Sequence, residues 1–190
     1  DAGAPARSRI TPLRNANMPQ QTPNVFTYPR TEPGTTGHFD LVDALRTLPR
    51  DLAAALSGIS EAATAYRPSP ESWCIREIVG HLADDAEVYH KHIYMMSTQT
   101  DPILDSYDQE AFVIEHAYMT RNIGEMVQEL GKWRSDTVRL LTTLVNWNWA
   151  RTGQHTERGR TSIRQIVEHM VEHDEQHLHD IRALRAAAPA

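Results

Sequence analysis

Apolar positions recur at steps of three and four residues along four long segments of this chain, the period of helices with one buried face. Leu41, Val42, Leu45, Leu48, Leu52, Leu56 and Ile59 mark the first. Pro49 lies inside that helix and predicts a kink, because proline removes a backbone donor; Gly58 falls near its end. Arg67-Pro68-Ser69-Pro70 then breaks the chain. A second helix is predicted from about residue 74 to 97, with Ile75, Ile78, Val79, Leu82, Tyr89, Ile93 and Met96 on its apolar face. Residues 98–107 read as a loop containing Asp101-Pro102, and 108–117 as a short helix. The third long helix is predicted from about Ile123 to Leu144, marked by Ile123, Met126, Val127, Leu130, Trp133, Leu140, Leu141 and Leu144. Residues 146–161, NWNWARTGQHTERGRT, read as a polar loop with two glycines. The fourth helix opens near Ser162, whose Ser-x-x-Gln165 spacing resembles a capping box, and runs to about Ala187, short of Pro189.

Four such helices would each span about 30–39 Å at the helical rise. With no convincing strand alternation between them, the predicted class is all-α, an antiparallel four-helix bundle. Residues 1–36 differ: Pro5, Pro12, Pro19, Pro23, Pro29 and Pro33 punctuate a stretch with few apolar residues and no period. The expected organisation is therefore an extended N-terminal arm over 1–37 and a bundle over 38–187. Met18 is a candidate start of translation within the arm.

Composition narrows the classes of function. A chain of 190 residues suits one domain with a proper core. The formal charge is -6, and Lys91 and Lys132 are the only lysines. No basic cluster offers a phosphate-binding surface, so nucleic acid is not the expected partner. No apolar run approaches the roughly 20 residues of a membrane span. Cys74 is the only cysteine, which excludes an intrachain disulfide and makes a reduced cytoplasm the simplest setting.

The chemistry concentrates in residues 168–183, EHMVEHDEQHLHDIRA. The apolar seam of the fourth helix runs Ile163, Ile166, Met170, then Ile181 and Leu184; continuing it at steps of three and four lands on His173 and His177. Four residues is just over one turn, so both imidazoles project from one face. They occupy places where a bundle core expects Leu or Ile. A buried imidazole needs a partner for each ring nitrogen, and a metal ion is the most economical shared partner. His81 lies one turn beyond Ile78, at the edge of the apolar face of the second helix. Taken alone it reads as a satisfied, partly buried histidine. If the second and fourth helices are neighbours, His81, His173 and His177 converge on one ion. Three imidazoles suit zinc, nickel, iron or copper and leave a position for water or substrate.

Other residues are weighed around this triad. His169 is expected behind the ligands or at the surface, and His179 in solvent. Asp174 and Glu175 read as a solvated face, and Asp84 as a surface carboxylate. Asp85 has the better spacing to orient His81, although a plain surface carboxylate is the simpler reading. His155, in the glycine-flanked loop, and Asp108, at the head of the short helix, are the candidate catalytic residues; no general base stands out. Cys74 sits where a helix dipole would lower a thiol pKa, yet nothing pairs with it in sequence. The four tryptophans read as packing.

Together these residues resemble the DinB/YfiT-like superfamily of metal-dependent enzymes. Trp73 through Glu77 into His81-Leu82-x-Asp84 carries the first part, Tyr107-Asp108-Gln109 the second, and His169-x-x-x-His173-Asp174-x-Gln176-His177-Leu178 the third. The likeness covers about residues 38–186. It implies an up-down-down-up bundle, a homodimer, and a divalent transition metal held at His81, His173 and His177. It also implies an enzyme that activates a thiol or water for transfer to, or hydrolysis of, a small molecule, with a low-molecular-weight thiol as a cosubstrate. A non-catalytic metal-binding stress-response module is the alternative. Two positions depart from the family: Cys74 stands where Ser or Thr is usual, and His92 where many members carry Arg.

Overall fold

Residues 36–189 are described by a computed structural model; the expected arm, with Met18, falls outside them up to residue 35. The elements are α1 (His38–Leu56), α2 (Glu61–Thr64), α3 (Ile75–Thr98), β1 (Ile103–Leu104), α4 (Gln109–Glu115), α5 (Ile123–Thr143), a 3-10 turn (Asn146–Ala150), β2 (Thr152–His155), β3 (Gly159–Ser162) and α6 (Ile163–Ala187). Three of the four long helices, α3, α5 and α6, start where side chains satisfy backbone amides. Ser162 Oγ accepts from Gln165 N at 3.2 Å, while Gln165 Oε1 accepts from Ser162 N at 2.9 Å, closing the predicted capping box. Asn122 Oδ1 accepts from Gly124 N and Glu125 N to open α5. Glu77 Oε2 accepts from Cys74 N at 3.0 Å to open α3.

Two apolar clusters fix the direction of each helix. One joins Leu41, Val42 and Leu45 of α1 to Ile93 and Met96 of α3, Leu141 of α5, and Ile163, Ile166 and Met170 of α6. The other joins Leu48 and Leu52 of α1 to Ile75, Ile78 and Leu82 of α3, Met126 and Leu130 of α5, and Ile181 of α6. Early residues of α1 and α6 therefore share an end with late residues of α3 and α5. The order is up-down-down-up: α3 and α5 run parallel, and residues 99–122 return the chain along the bundle between them. α1 and α3 each pack against both α5 and α6. Between the two clusters α3 and α6 contribute polar side chains to the interior.

The stretch read as a polar loop is structured. Trp149 is buried and stacks on His38, ring centroids 4.1 Å apart. β2 and β3 form an antiparallel hairpin from Thr152↔Ser162 to His155↔Gly159, and β1 adds in parallel through Ile103↔Gln154. Only one face of β2 is buried, at Gly153 and His155. Gly153 allows the close approach of Leu104, whose Cδ1 would lie 2.9 Å from an added Cβ. Gly159 turns the hairpin at φ +74°. Trp147, read as packing, is 69% exposed.

Candidate metal centre

Residues 75–83 of α3 are buried without interruption, because α5, α6 and the returning connection cover that helix. Polar side chains on it are therefore interior whichever way they point. His81 is among them, and it meets His173 and His177 of α6. One nitrogen from each of the three rings lies within 4.8 Å of the others. His81 Nε2 is 3.2 Å from His173 Nε2, and His177 Nε2 is 3.0 Å from the same atom. The three Nε2 atoms thus face one point.

Each ring has an oxygen behind it. Tyr107 Oη lies 3.4 Å from His81 Nδ1, Asp85 Oδ2 lies 3.5 Å from His173 Nδ1, and Asp180 Oδ2 lies 3.5 Å from His177 Nδ1. At His173 and His177 a carboxylate beside Nδ1 favours the proton there and leaves the Nε2 lone pair directed inward, the arrangement that metal-ligating histidines require; His81 has Asp85 Oδ2 at 3.3 Å from Nε2 as well. Burial and the neighbouring imidazoles hold His81 and His173 well below the usual histidine range, so both rings are neutral. Imidazole lone pairs turned toward one point repel one another unless a cation or a shared proton occupies it. The donor set suits a divalent transition ion.

Several polar residues that spacing alone assigned to the surface lie inside. Asp85 is 2% exposed; Oδ2 is 3.3 Å from His81 Nε2, and Oδ1 accepts from Tyr107 Oη. Asp174 is buried against Arg134, Nη2 donating to Oδ1 at 2.9 Å. Burial lifts the Asp174 carboxyl to about 6, although Arg134 pulls it down. Arg134 was legible in principle: it stands four residues after Leu130 and seven before Leu141, inside the seam of α5. Asp84 accepts from Tyr118 Oη and pairs with His116 Nδ1 at 2.6 Å. His169 is buried one turn before His173 and shares a hydrogen bond of 2.8 Å with Tyr89 Oη. His179 and Glu175 are exposed, as expected. Cys74 is buried, and desolvation raises its thiol pKa in spite of the helix dipole.

A cavity of about 560 Å³ is linked to the centre through Tyr107, which lines it and lies behind His81; none of the three histidines is on its wall. Val88, Tyr89 and His92 of α3, residues 105–110 of the returning connection, and His155, Glu157 and Arg158 of the hairpin line it. Tyr107 belongs both to this wall and to the surroundings of His81. The two catalytic candidates are on the wall as well. Asp108 Oδ1 accepts from Glu110 N and Ala111 N as the cap of α4. His155 Nδ1 accepts from Glu157 N at 3.2 Å, and its ring meets His92 with centroids 5.8 Å apart. Desolvation and His155 lower the His92 pKa to about 4.

Residues 44–181 match the sequence profile of the DinB superfamily. Among solved structures the chain is similar to YfiT from Bacillus subtilis, described as a probable metal-dependent hydrolase with an unusual four-helix bundle topology. The superposition has a TM-score of 0.78 at 19% identity and covers 84% of this chain and 91% of that one. At that identity the likeness speaks for the fold. No curated protein matches the sequence.

Proposed function

We propose that this chain, which belongs to the DinB superfamily, is a metal-dependent hydrolase of a small molecule whose ion is held by His81, His173 and His177. The observation that carries this reading is the convergence of three Nε2 atoms inside the bundle, each ring backed by an oxygen at Nδ1. Zinc, nickel and iron all accept such donors. When bound, such an ion supplies a Lewis acid that lowers the pKa of a water or thiol beside it.

The chain's own residues do the rest. His81 and His173 present neutral lone pairs because burial disfavours their protonated forms. Three protein donors leave a position for a nucleophile or substrate. The cavity of about 560 Å³ is the size of a small-molecule site. Its wall of Tyr89, His92, Tyr107 and His155 offers hydrogen-bonding groups. Among the described residues no helix is long and apolar enough to cross a membrane. A low-molecular-weight thiol in place of water would make the same site a transferase.

Elemental analysis of the purified full chain and of His173→Ala tests the ligand set; the wild type should carry about one ion per chain and the variant little. A panel of activated esters, amides and epoxides, each with and without added cysteine or glutathione, then reads hydrolysis against thiol transfer. Full metal content and unchanged turnover in His173→Ala would remove the metal centre from the reaction.

A further inference from the structure

Asp85 is the buried group that the ligand set leaves unexplained. A carboxylate 2% exposed, on a helix covered on nearly every side, carries a heavy desolvation cost. It persists where its charge is matched. Its Oδ1 accepts from Tyr107 Oη, while Oδ2 has no conventional hydrogen-bond donor and lies 3.5 Å from His173 Nδ1 and 3.3 Å from His81 Nε2. Asp85 does not join the group of nitrogens that lie within 4.8 Å of one another. Its place is therefore beside the ligands, with Oδ2 between His81 Nε2 and His173 Nδ1.

We propose that Asp85 is a positioning residue for the metal centre, accepting a hydrogen bond from His173 Nδ1–H so that Nε2 faces the ion, and itself held by Tyr107. The inference rests on the His81, His173 and His177 centre proposed above. It assigns a different role, because a carboxylate hydrogen-bonded to a ligand ring fixes its tautomer and raises its basicity without touching the ion. Burial pushes the Asp85 carboxyl up; beside a bound divalent ion its carboxylate would offset part of the ion's charge in a dry interior. Tyr107 adds a link outward. Its ring lines the cavity and its hydroxyl holds the carboxylate, so the wall that a substrate touches is joined through two hydrogen bonds to a ligand of the ion. The chain thereby carries an orienter from the opposite helix: His173 is on α6 and Asp85 on α3.

Three measurements on the full chain test this. Zinc affinity is read by competition with a chromogenic chelator. Asp85→Asn, which keeps shape and loses charge, should bind zinc about 10–100-fold more weakly. Tyr107→Phe should bind about fivefold more weakly, the worth of one hydrogen bond on the supporting side. In the metal-free protein, long-range proton–nitrogen spectra should show His173 with its proton on Nδ1, and a mixture of tautomers in Asp85→Asn. Cobalt-substituted wild type and Asp85→Asn should share one ligand-field spectrum, because the set of atoms bound to the ion is the same. A ligand-field spectrum that changes on Asp85→Asn would make the carboxylate a ligand and overturn the assignment. Unchanged zinc affinity and an unchanged His173 tautomer in both variants would overturn it as well. If Asp85→Asn does not fold, Tyr107→Phe decides alone. Wild type that takes up no zinc, nickel or iron would instead sink the metal reading itself.

Discussion

Replacing Arg134 by methionine isolates the energetics of the buried layer. The guanidinium and the Asp174 carboxylate are 2% and 7% exposed at the side chain and meet at 2.9 Å. Methionine keeps the apolar stem and removes the charge, leaving a carboxylate in the interior without its cation. Breaking one half of such a pair costs about 3–5 kcal/mol. The pH dependence follows from Asp174. Burial already lifts its pKa from 3.8 to about 6 with Arg134 present; without Arg134 the rise is larger. The folded state then binds a proton at a pH where the unfolded carboxyl, with an ordinary pKa, does not. A raised folded carboxyl penalises folding above its folded pKa, and that penalty fades as the pH falls toward the unfolded value. The deficit of Arg134→Met relative to wild type is thus greatest near pH 8 and shrinks by pH 5, by about 1.4 kcal/mol for each tenfold loss of acidity beyond the wild-type value. Urea unfolding followed by helical circular dichroism, on chelator-treated proteins at both pH values, reads it directly. Arg134→Met with Asp174→Leu should recover most of the loss, since no charge remains buried. An equal deficit at pH 8 and pH 5, with no recovery in the double variant, would refute the reasoning.

Other outcomes follow from the same structure. Saturating the metal-free chain with zinc at about 100 times its dissociation constant should add about 2.7 kcal/mol of stability, seen as a rise in Tm that His177→Ala abolishes. Gly80→Ala would place a Cβ 2.5 Å from the Tyr118 ring; a loss of about 1–3 kcal/mol by thermal or urea unfolding is expected, and Gly80→Ala with Tyr118→Leu should relieve it. His92 titrates at about 4 when folded and near 6.5 when unfolded. The unfolded state therefore binds more protons between those values, and stability from this group is lost as pH falls from 6.5 to 4, by about 3 kcal/mol in full. His92→Gln should flatten that part of the stability curve; a slope identical to wild type would contradict it.

The bundle was legible because its helices write themselves twice, in seams at steps of three and four and in side-chain caps such as Ser162–Gln165. The direction of each helix was not in the periodicity; it came with the resemblance and is visible in which ends share a cluster. The hairpin escaped because strands of four residues with one buried face leave almost no alternation to read: Gly153 and His155 are the inward positions of β2, and neither is a hydrophobic marker. At the centre, His173 and His177 were readable as polar residues standing in an apolar seam. Asp85 and Asp174 were not, since a carboxylate on a helix looks solvated until the partner that covers it is known. Tyr107 supplies the partner of Asp85 from a loop and Arg134 that of Asp174 from another helix 40 residues away; spacing can place Arg134 in the seam of α5 but cannot pair it with Asp174.

Two parallel helices in succession demand a long overhand return, and that return, with the hairpin, roofs the cavity, whereas the two-histidine helix α6 contributes nothing to the lining residues. On the proposed function, selectivity would be written on segments that tolerate insertion and drift, and reactivity on rods that do not. Grafting residues 108–110 and 155–158 from a relative, with Tyr107 kept, should therefore transplant a preference for one molecule over another while the ion's cradle stays as it was.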